Sequence, residues 1–226
     1  MLPAPPPAAV LWDLDGTLVD TEPLWRRAEA RLVAEFGGTW REEDGLALVG
    51  TALPDYALVL QQHGVTLSVE QILDRMVGQI LGWQAGGPPW QPGARELVEA
   101  LRAAGVPQAL VTSSYRTLTG PVLAAAQGAF AVVVPGDEVG ATKPDPEPYL
   151  TAAERLGVPI TQCVVVEDSM AGVTAGLSSG ANTLAVRSAA ELPQEPRLSL
   201  TDTLAAVTLD DLARVAAGEV LDLTLV

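Results

Sequence analysis

The chain has 226 residues, is 48% hydrophobic, and carries a formal net charge of −15. That length allows one domain, or a core with a smaller insert, and the apolar content excludes a disordered chain. The charge excludes a nucleic-acid binder, which needs a basic face to neutralise phosphates; any anionic ligand would need local positive groups or a metal.

The Pro- and Ala-rich stretch from Met1 to Ala9 lacks the basic segment and apolar run of a secretion signal. Val10-Leu11-Trp12 is a short apolar run ending at Asp13, which predicts a buried strand followed by a loop at Gly16. From Pro23 to Trp83 apolar positions recur at helical spacing, in Leu24–Phe36, Leu53–Gln62 and Val69–Leu81, with Pro54 and Ser68 near helix starts. Gly86-Gly87-Pro88-Pro89 then breaks the chain. Beyond it helices and strands alternate. Pro92–Ala104 reads as a helix and Gln108–Val111 as a strand, then Leu118–Gln127 as a helix and Phe130–Val134 as a strand. Pro146–Leu156 reads as a helix, Cys163–Val166 as a strand, Ala171–Ser179 as a helix, Thr183–Val186 as a strand and Asp210–Ala217 as a closing helix.

This alternation predicts an α/β fold, a doubly wound, Rossmann-like parallel sheet covered on both faces. The helical block interrupts it after the first strand, so it is expected to be an insert. The expected division is a core of residues 1–18 and 89–226 with an inserted domain at 19–88. No run of about 18 apolar residues occurs, so no membrane span is expected. Cys163 is the single cysteine, which excludes an internal disulfide. A cytoplasmic location is the default expectation.

In a doubly wound sheet function gathers at the carboxyl ends of the strands. There this sequence places Asp13 and Asp15, Thr112 and Ser113, and Glu167 and Asp168, with Lys143 in the loop after the third strand region, Phe130–Val134. Asp13-Leu14-Asp15-Gly16-Thr17 offers two carboxylates that can point to the same side, one to attack and one to handle a proton; it also fits a plain Asx turn. Glu167 and Asp168 would repel each other and Asp13 unless a divalent cation relieved them. Oxygen-only ligands suit Mg²⁺ rather than Zn²⁺. The plainer alternative is that Asp168 or Ser169 caps the next helix. Thr112 and Ser113 suit either an anion site at a helix start or an ordinary N-cap. Lys143 is the one lysine among thirteen basic residues, and Pro144, Pro146 and Pro148 would stiffen its loop. A fixed ammonium there would offset the acids and grip a phosphate oxygen.

Together these segments resemble a known family. Asp13-Leu-Asp-Gly-Thr-Leu-Val-Asp20, Val111-Thr-Ser-Ser114, Lys143-Pro-Asp-Pro-Glu-Pro-Tyr149 and Val166-Glu-Asp-Ser-Met-Ala-Gly172 are similar to the motifs of the haloacid dehalogenase superfamily of phosphohydrolases. The insert resembles the four-helix cap of the branch that holds beta-phosphoglucomutase and sugar-phosphate phosphatases. Asp20-Thr-Glu-Pro-Leu-Trp25 resembles the start of the cap in its hexitol and deoxyhexose phosphatases. The resemblance implies a magnesium-dependent phosphatase of a small phosphate ester, such as a sugar or polyol phosphate. Asp13 would be the nucleophile and Asp15 the acid and base. Mg²⁺ would sit on Asp13, the backbone carbonyl of Asp15 and Asp168, with Glu167 direct or through water. Thr112, the Ser113 backbone and Lys143 would hold phosphoryl oxygens. Glu22 and Trp25 are candidate substrate contacts from the cap, which is expected to hinge near Val19–Thr21 and Gly86–Trp90.

A phosphosugar mutase is the nearest alternative. Mutases of this branch place a His where this chain has Trp25 and an Arg after a cap Gly, where Gly50-Thr51-Ala52-Leu53 has none. Dehalogenases typically lack an acid equivalent to Asp15, and a phosphonate hydrolase wants a cap Lys. A receiver domain would be about half this length. A protein that binds a sugar phosphate without turnover is the alternative of another class, set against the presence of Asp15 and Lys143. His63 and the Arg26, Arg27 and Arg31 group are expected to be solvated helix positions rather than site residues. Oligomeric state is not legible.

Overall fold

The computed structural model describes residues 4–48, 53–187 and 195–224. The chain falls into two compact units, one formed by Met1–Asp20 and Pro89–Val226 and the other by Thr21–Pro88.

The first unit is built on a seven-stranded sheet in which every neighbouring pair is parallel. Its strands are β1 (Ala9–Trp12), β2 (Gln108–Val111), β3 (Val132–Val134), β4 (Cys163–Glu167), β5 (Asn182–Val186), β6 (Leu198–Thr201) and β7 (Asp222–Leu223), in the order β3-β2-β1-β4-β5-β6-β7. The alternation of side chains across β1 feeds two cores. Val10 and Trp12 join Val98 and Leu101 of α5 (Ala94–Ala103) and Leu212 and Val215 of α9 (Leu209–Ala216) on one face. Ala9 and Leu11 join Tyr149 and Ala152 of α7 (Glu147–Leu156) and Ala175 of α8 (Met170–Ser179) on the other. With both faces covered the central strands carry no polar stripe, as parallel strands require. Burying Leu11 or Leu110 completely contributes roughly 1.5–3 kcal/mol each. The helix α6 (Arg116–Ala125) follows β2.

The chain leaves this unit after β1 and returns beside its own exit. Val19 pairs with Trp90, the Asp20 N–H donates to the Pro89 carbonyl at 2.8 Å, and the Gln91 N–H donates to the Leu18 carbonyl at 2.8 Å. An insertion at this point leaves the sheet undisturbed.

The second unit holds α1 (Glu22–Glu35), α2 (Glu42–Leu46), α3 (Leu53–Gln62) and α4 (Val69–Trp83). Its buried apolar residues include Ala28, Leu32 and Val33 of α1, Tyr56 and Leu60 of α3, and Ile72, Met76 and Ile80 of α4, and α4 packs against both α1 and α3. Ser68 and Gln71 cap α4 reciprocally, which satisfies two N–H groups that the helix start would otherwise orphan. Gly50, Thr51 and Ala52 lie outside the described residues. Among the described residues no helix is long and apolar enough to cross a membrane.

The structure extends the sequence reading at its C-terminal end. β6 and β7 were not expected, and α9 does not close the fold, because β7 follows it and pairs with β6. β3 starts at Val132 rather than Phe130, since pairing with β2 begins at Ala109↔Val132.

Candidate active site

The strand order reverses between β1 and β4, because the chain runs outward from β1 to β3 and then returns to β4 on the other side. Such a switch point opens a crevice at the carboxyl ends of the two strands. Asp13 follows β1 there, and Glu167 and Asp168 end β4. The Asp13 N–H donates to the Val166 carbonyl at 3.0 Å, which holds the two strand ends together as they leave the sheet.

Lys143 reaches into this crevice from the loop between β3 and α7. Its Nζ donates to Asp13 Oδ1 at 2.5 Å, Glu167 Oε1 at 2.6 Å and the Val111 carbonyl at 3.0 Å. An ammonium has three donors, and these partners account for all of them. Burial alone would pull the Lys143 pKa down; Asp13 and Glu167 more than reverse that and hold it above its ordinary range. The opposite imbalance falls on the acids. Burial, reinforced by Glu167, pushes the Asp13 carboxyl well above the usual carboxylate range against the pull of Lys143. Burial and Glu167 also push Asp168 up to about 7.

Glu167 is fully buried and crowded with donors. Tyr149 Oη donates to Oε1 at 2.7 Å, beside Lys143. The Asp168 N–H, the Ser169 N–H and Ser169 Oγ converge on Oε2 at 3.0, 3.2 and 3.1 Å. A carboxylate offers about four lone-pair positions, so this one is saturated by the protein. Gly172 is required next to it: a Cβ there would run into the Glu167 carboxylate.

Asp168 lies on the other side of the turn, where Thr17 Oγ1 donates to its Oδ1 at 3.0 Å. Gly16, at φ +88, passes so close to this carboxylate that any Cβ would collide with it. The Asp13–Val19 loop is tied by the Gly16 N–H to the Val19 carbonyl at 2.8 Å and by Gln91 Nε2 to the Gly16 carbonyl at 3.0 Å. Asp13, Glu167 and Asp168 each offer an oxygen within 4.8 Å of the others. An oxygen-only trio fits a hard divalent cation, and a cation would offset the burial and the mutual repulsion that together raise Asp13 and Asp168.

Asp15 stands across from the end of β2, where Ser114 Oγ donates to its Oδ2 at 2.7 Å. Thr112 is buried, and its Oγ1 accepts the Ser114 N–H at 2.9 Å. Ser113 is exposed. The residues that sequence reasoning placed at the strand ends thus converge, with Thr112, Ser113 and Asp15 beside the Asp13–Lys143–Glu167–Asp168 cluster. Glu22 and Trp25 belong to the helical unit, where Trp25 meets Tyr56 edge-on with ring centroids 5.6 Å apart. His63 packs against Trp40 and places Nδ1 2.9 Å from the Val59 carbonyl. Arg27 lies over the Trp83 ring at 4.4 Å, and Arg31 pairs with Glu35 at 3.5 Å.

Sequence reasoning passed over Tyr149, Thr17 and Ser114. Tyr149 stood at the end of a quoted motif, but only the fold turns its hydroxyl onto Glu167. In the run Thr112-Ser113-Ser114 nothing in the residue types says which hydroxyl faces Asp15.

The haloacid dehalogenase-like hydrolase family model matches residues 7–180. The bifunctional riboflavin kinase/FMN phosphatase of Arabidopsis thaliana is 31% identical over 195 residues, which cover 84% of this chain and 50% of that protein. This chain therefore spans half the length of that relative. Hexitol phosphatase A of Escherichia coli strain K12 is 33% identical over 190 residues, covering 81% of this chain and 85% of that protein. The crystal structure of CbbY from Rhodobacter sphaeroides in complex with phosphate superposes with a TM-score of 0.79 at 26% identity, covering 88% of this chain and 95% of that one. A parallel sheet with carboxylates and one buried lysine at its switch point, matched over most of its length by that family model, makes this chain a member of the haloacid dehalogenase-like hydrolases.

Proposed function

We propose that this chain is a phosphatase that removes the phosphoryl group of a small phosphorylated metabolite, a sugar or polyol phosphate, through an aspartyl-phosphate on Asp13. The observation that carries this reading is the buried cluster in which Lys143 Nζ bridges Asp13 and Glu167 at the switch point, with Asp15 two residues beyond Asp13. The likeness to a hexitol phosphatase and to a phosphate complex of CbbY supports the substrate class.

An oxygen of Asp13 attacks phosphorus, and the bond from phosphorus to the ester oxygen breaks. Asp15 gives its proton to that leaving oxygen. Asp15, now a carboxylate, takes a proton from a water whose oxygen attacks the phosphorus of the aspartyl-phosphate. Asp13 is released as a carboxylate and inorganic phosphate departs. The Thr112 hydroxyl and the Ser113 backbone hold phosphoryl oxygens, as does Lys143 once one of its three donors turns from Asp13 to the phosphoryl group, and positioning of this kind supplies most of the catalysis of phosphoryl transfer. Asp13, Asp168 and the Asp15 carbonyl would hold Mg²⁺, while Glu167, whose oxygens already accept five donors, would add its negative charge beside them. When bound, the ion neutralises charge on the phosphoryl group. We read residues 19–88 as the family's cap, the segment that selects the leaving group, with Glu22 and Trp25 as its first candidate contacts.

The test is phosphate release across a panel of sugar, polyol and nucleotide phosphates with Mg²⁺. Release from some members, abolished by EDTA and by Asp13→Asn, is the expected result. Interconversion of phosphate isomers without release would replace the phosphatase by a mutase. Silence in both assays would leave a binding role.

A further inference from the structure

The pairing of Ser114 with Asp15 is built in on both sides. Ser114 is buried, and its Oγ donates to Asp15 Oδ2 at 2.7 Å across a sequence separation of 99 residues. The serine is fixed twice by its backbone: its N–H donates to Thr112 Oγ1 at 2.9 Å, and its carbonyl accepts the Gly136 N–H at 2.9 Å. Gly136 has no room for a side chain, since a Cβ there would strike the Ser113 backbone, so the β3 loop presses on this turn from beyond. The partner is held as well. Asp15 pairs with Val19 in a bridge, and the loop it belongs to is tied down by Gln91.

We infer that Ser114 is a positioning residue for proton transfer by Asp15. By accepting the serine hydrogen at Oδ2, the carboxyl fixes its rotation about Cβ–Cγ, and with it the direction in which the transferred proton is delivered. The proton path is unchanged: the hydrogen leaves the Asp15 carboxyl for the ester oxygen, while Ser114 keeps its own hydrogen and gains or loses nothing. This inference rests on Asp15 acting as the acid. It gives Ser114 a task separate from gripping phosphate, which Thr112, the Ser113 backbone and Lys143 serve.

The test uses the dependence of kcat/KM on the leaving group, because kcat/KM stops at the first irreversible step and so reports only departure of the alcohol. Substituted phenyl phosphates from p-nitrophenyl to phenyl phosphate are nearly constant in shape. Their leaving phenols range up to a pKa of about 10, and the poorer the leaving group, the more the reaction needs an acid. Ser114→Ala is expected to steepen the fall of kcat/KM with leaving-group pKa, costing phenyl phosphate about tenfold more than p-nitrophenyl phosphate, a part of the 10²–10⁴-fold that a positioned acid supplies. Ser114→Thr, which restores the hydroxyl, should return the slope toward that of the parent protein. Asp15→Asn should be steepest of all. An equal loss on every ester with Ser114→Ala, alongside a steep slope with Asp15→Asn, would overturn the positioning role and leave the phosphatase reading intact. A slope unchanged by Asp15→Asn would remove the acid itself, and this inference with it.

Discussion

Replacing Lys143 by Met tests the charge balance of the site directly. The lysine side chain is 4% exposed and bridges Asp13 and Glu167 at 2.5 and 2.6 Å. Met keeps most of the unbranched stem and removes the ammonium, leaving Asp13, Glu167 and Asp168 together without their cation. Removing one partner of a buried ion pair costs about 3–5 kcal/mol. At about 2–4 °C per kcal/mol for a protein of this size, Tm should fall by roughly 10 °C in EDTA at pH 8. Burial and Glu167 already raise the Asp13 and Asp168 carboxyls, Asp168 to about 7. A carboxyl whose folded pKa lies above its unfolded value contributes stability below the unfolded pKa and loses it as pH rises through the folded one. The Lys143→Met deficit should therefore be small near pH 5 and grow toward pH 8. Mg²⁺ at pH 8 should raise the Tm of the variant by more than that of the parent, since the ion then replaces a missing charge. Thermal unfolding followed by circular dichroism in EDTA and in MgCl₂, at pH 5 and pH 8, reads all of this. Equal Tm values for variant and parent in EDTA at pH 8, or a deficit independent of pH, would refute the reasoning.

Cys163 is buried and its thiol is pushed up to about 11, so at pH 8 a thiol reagent should label the protein only as fast as it unfolds; rapid stoichiometric labelling of the native protein would contradict this. Gly172→Ala should force α8 away from Glu167 at a cost of about 1–3 kcal/mol, lowering Tm and phosphate release together. In the helical unit, Glu29 is buried and accepts from the Tyr56 hydroxyl and from Trp40 Nε1. Tyr56→Phe should cost about 1–3 kcal/mol by leaving that carboxylate short of a donor, seen as faster hydrogen exchange in α1 and α3.

The strand ends were legible in the sequence because a buried parallel strand is a short apolar run, and the polar residue that stops it marks the sheet's edge. Val10-Leu11-Trp12 before Asp13 and Val164-Val165-Val166 before Glu167 both read this way. β6 gave no such signal: Leu198-Ser199-Leu200-Thr201 follows a Pro-containing stretch, and its burial comes from lying between β5 and β7. β7 has two residues, too few for any period. The division of labour between Glu167 and Asp168 was equally hidden. Adjacent acids look interchangeable in sequence. What separates them is that Tyr149, Lys143 and the Asp168–Ser169 turn leading into α8 all donate to one of the two, and that depends on contacts made across the fold.

Gln108 lies in the core at the start of β2, with no exposed surface. Its Oε1 accepts Trp12 Nε1 at 2.9 Å and its Nε2 donates to the Val98 carbonyl at 3.0 Å, so one amide ties β1, β2 and α5. The apolar residues around it would accept many alignments of β1 on β2, because grease has no sense of phase. The amide has one, since both its ends find partners only when Val10 faces Gln108 and Trp12 faces Leu110. A slip of one residue would turn every side chain of β1 to the opposite face. It would also carry Asp13 away from Lys143. The aim of Asp13, the proposed nucleophile, is therefore set from the far end of the strand, by a residue that touches nothing in the site.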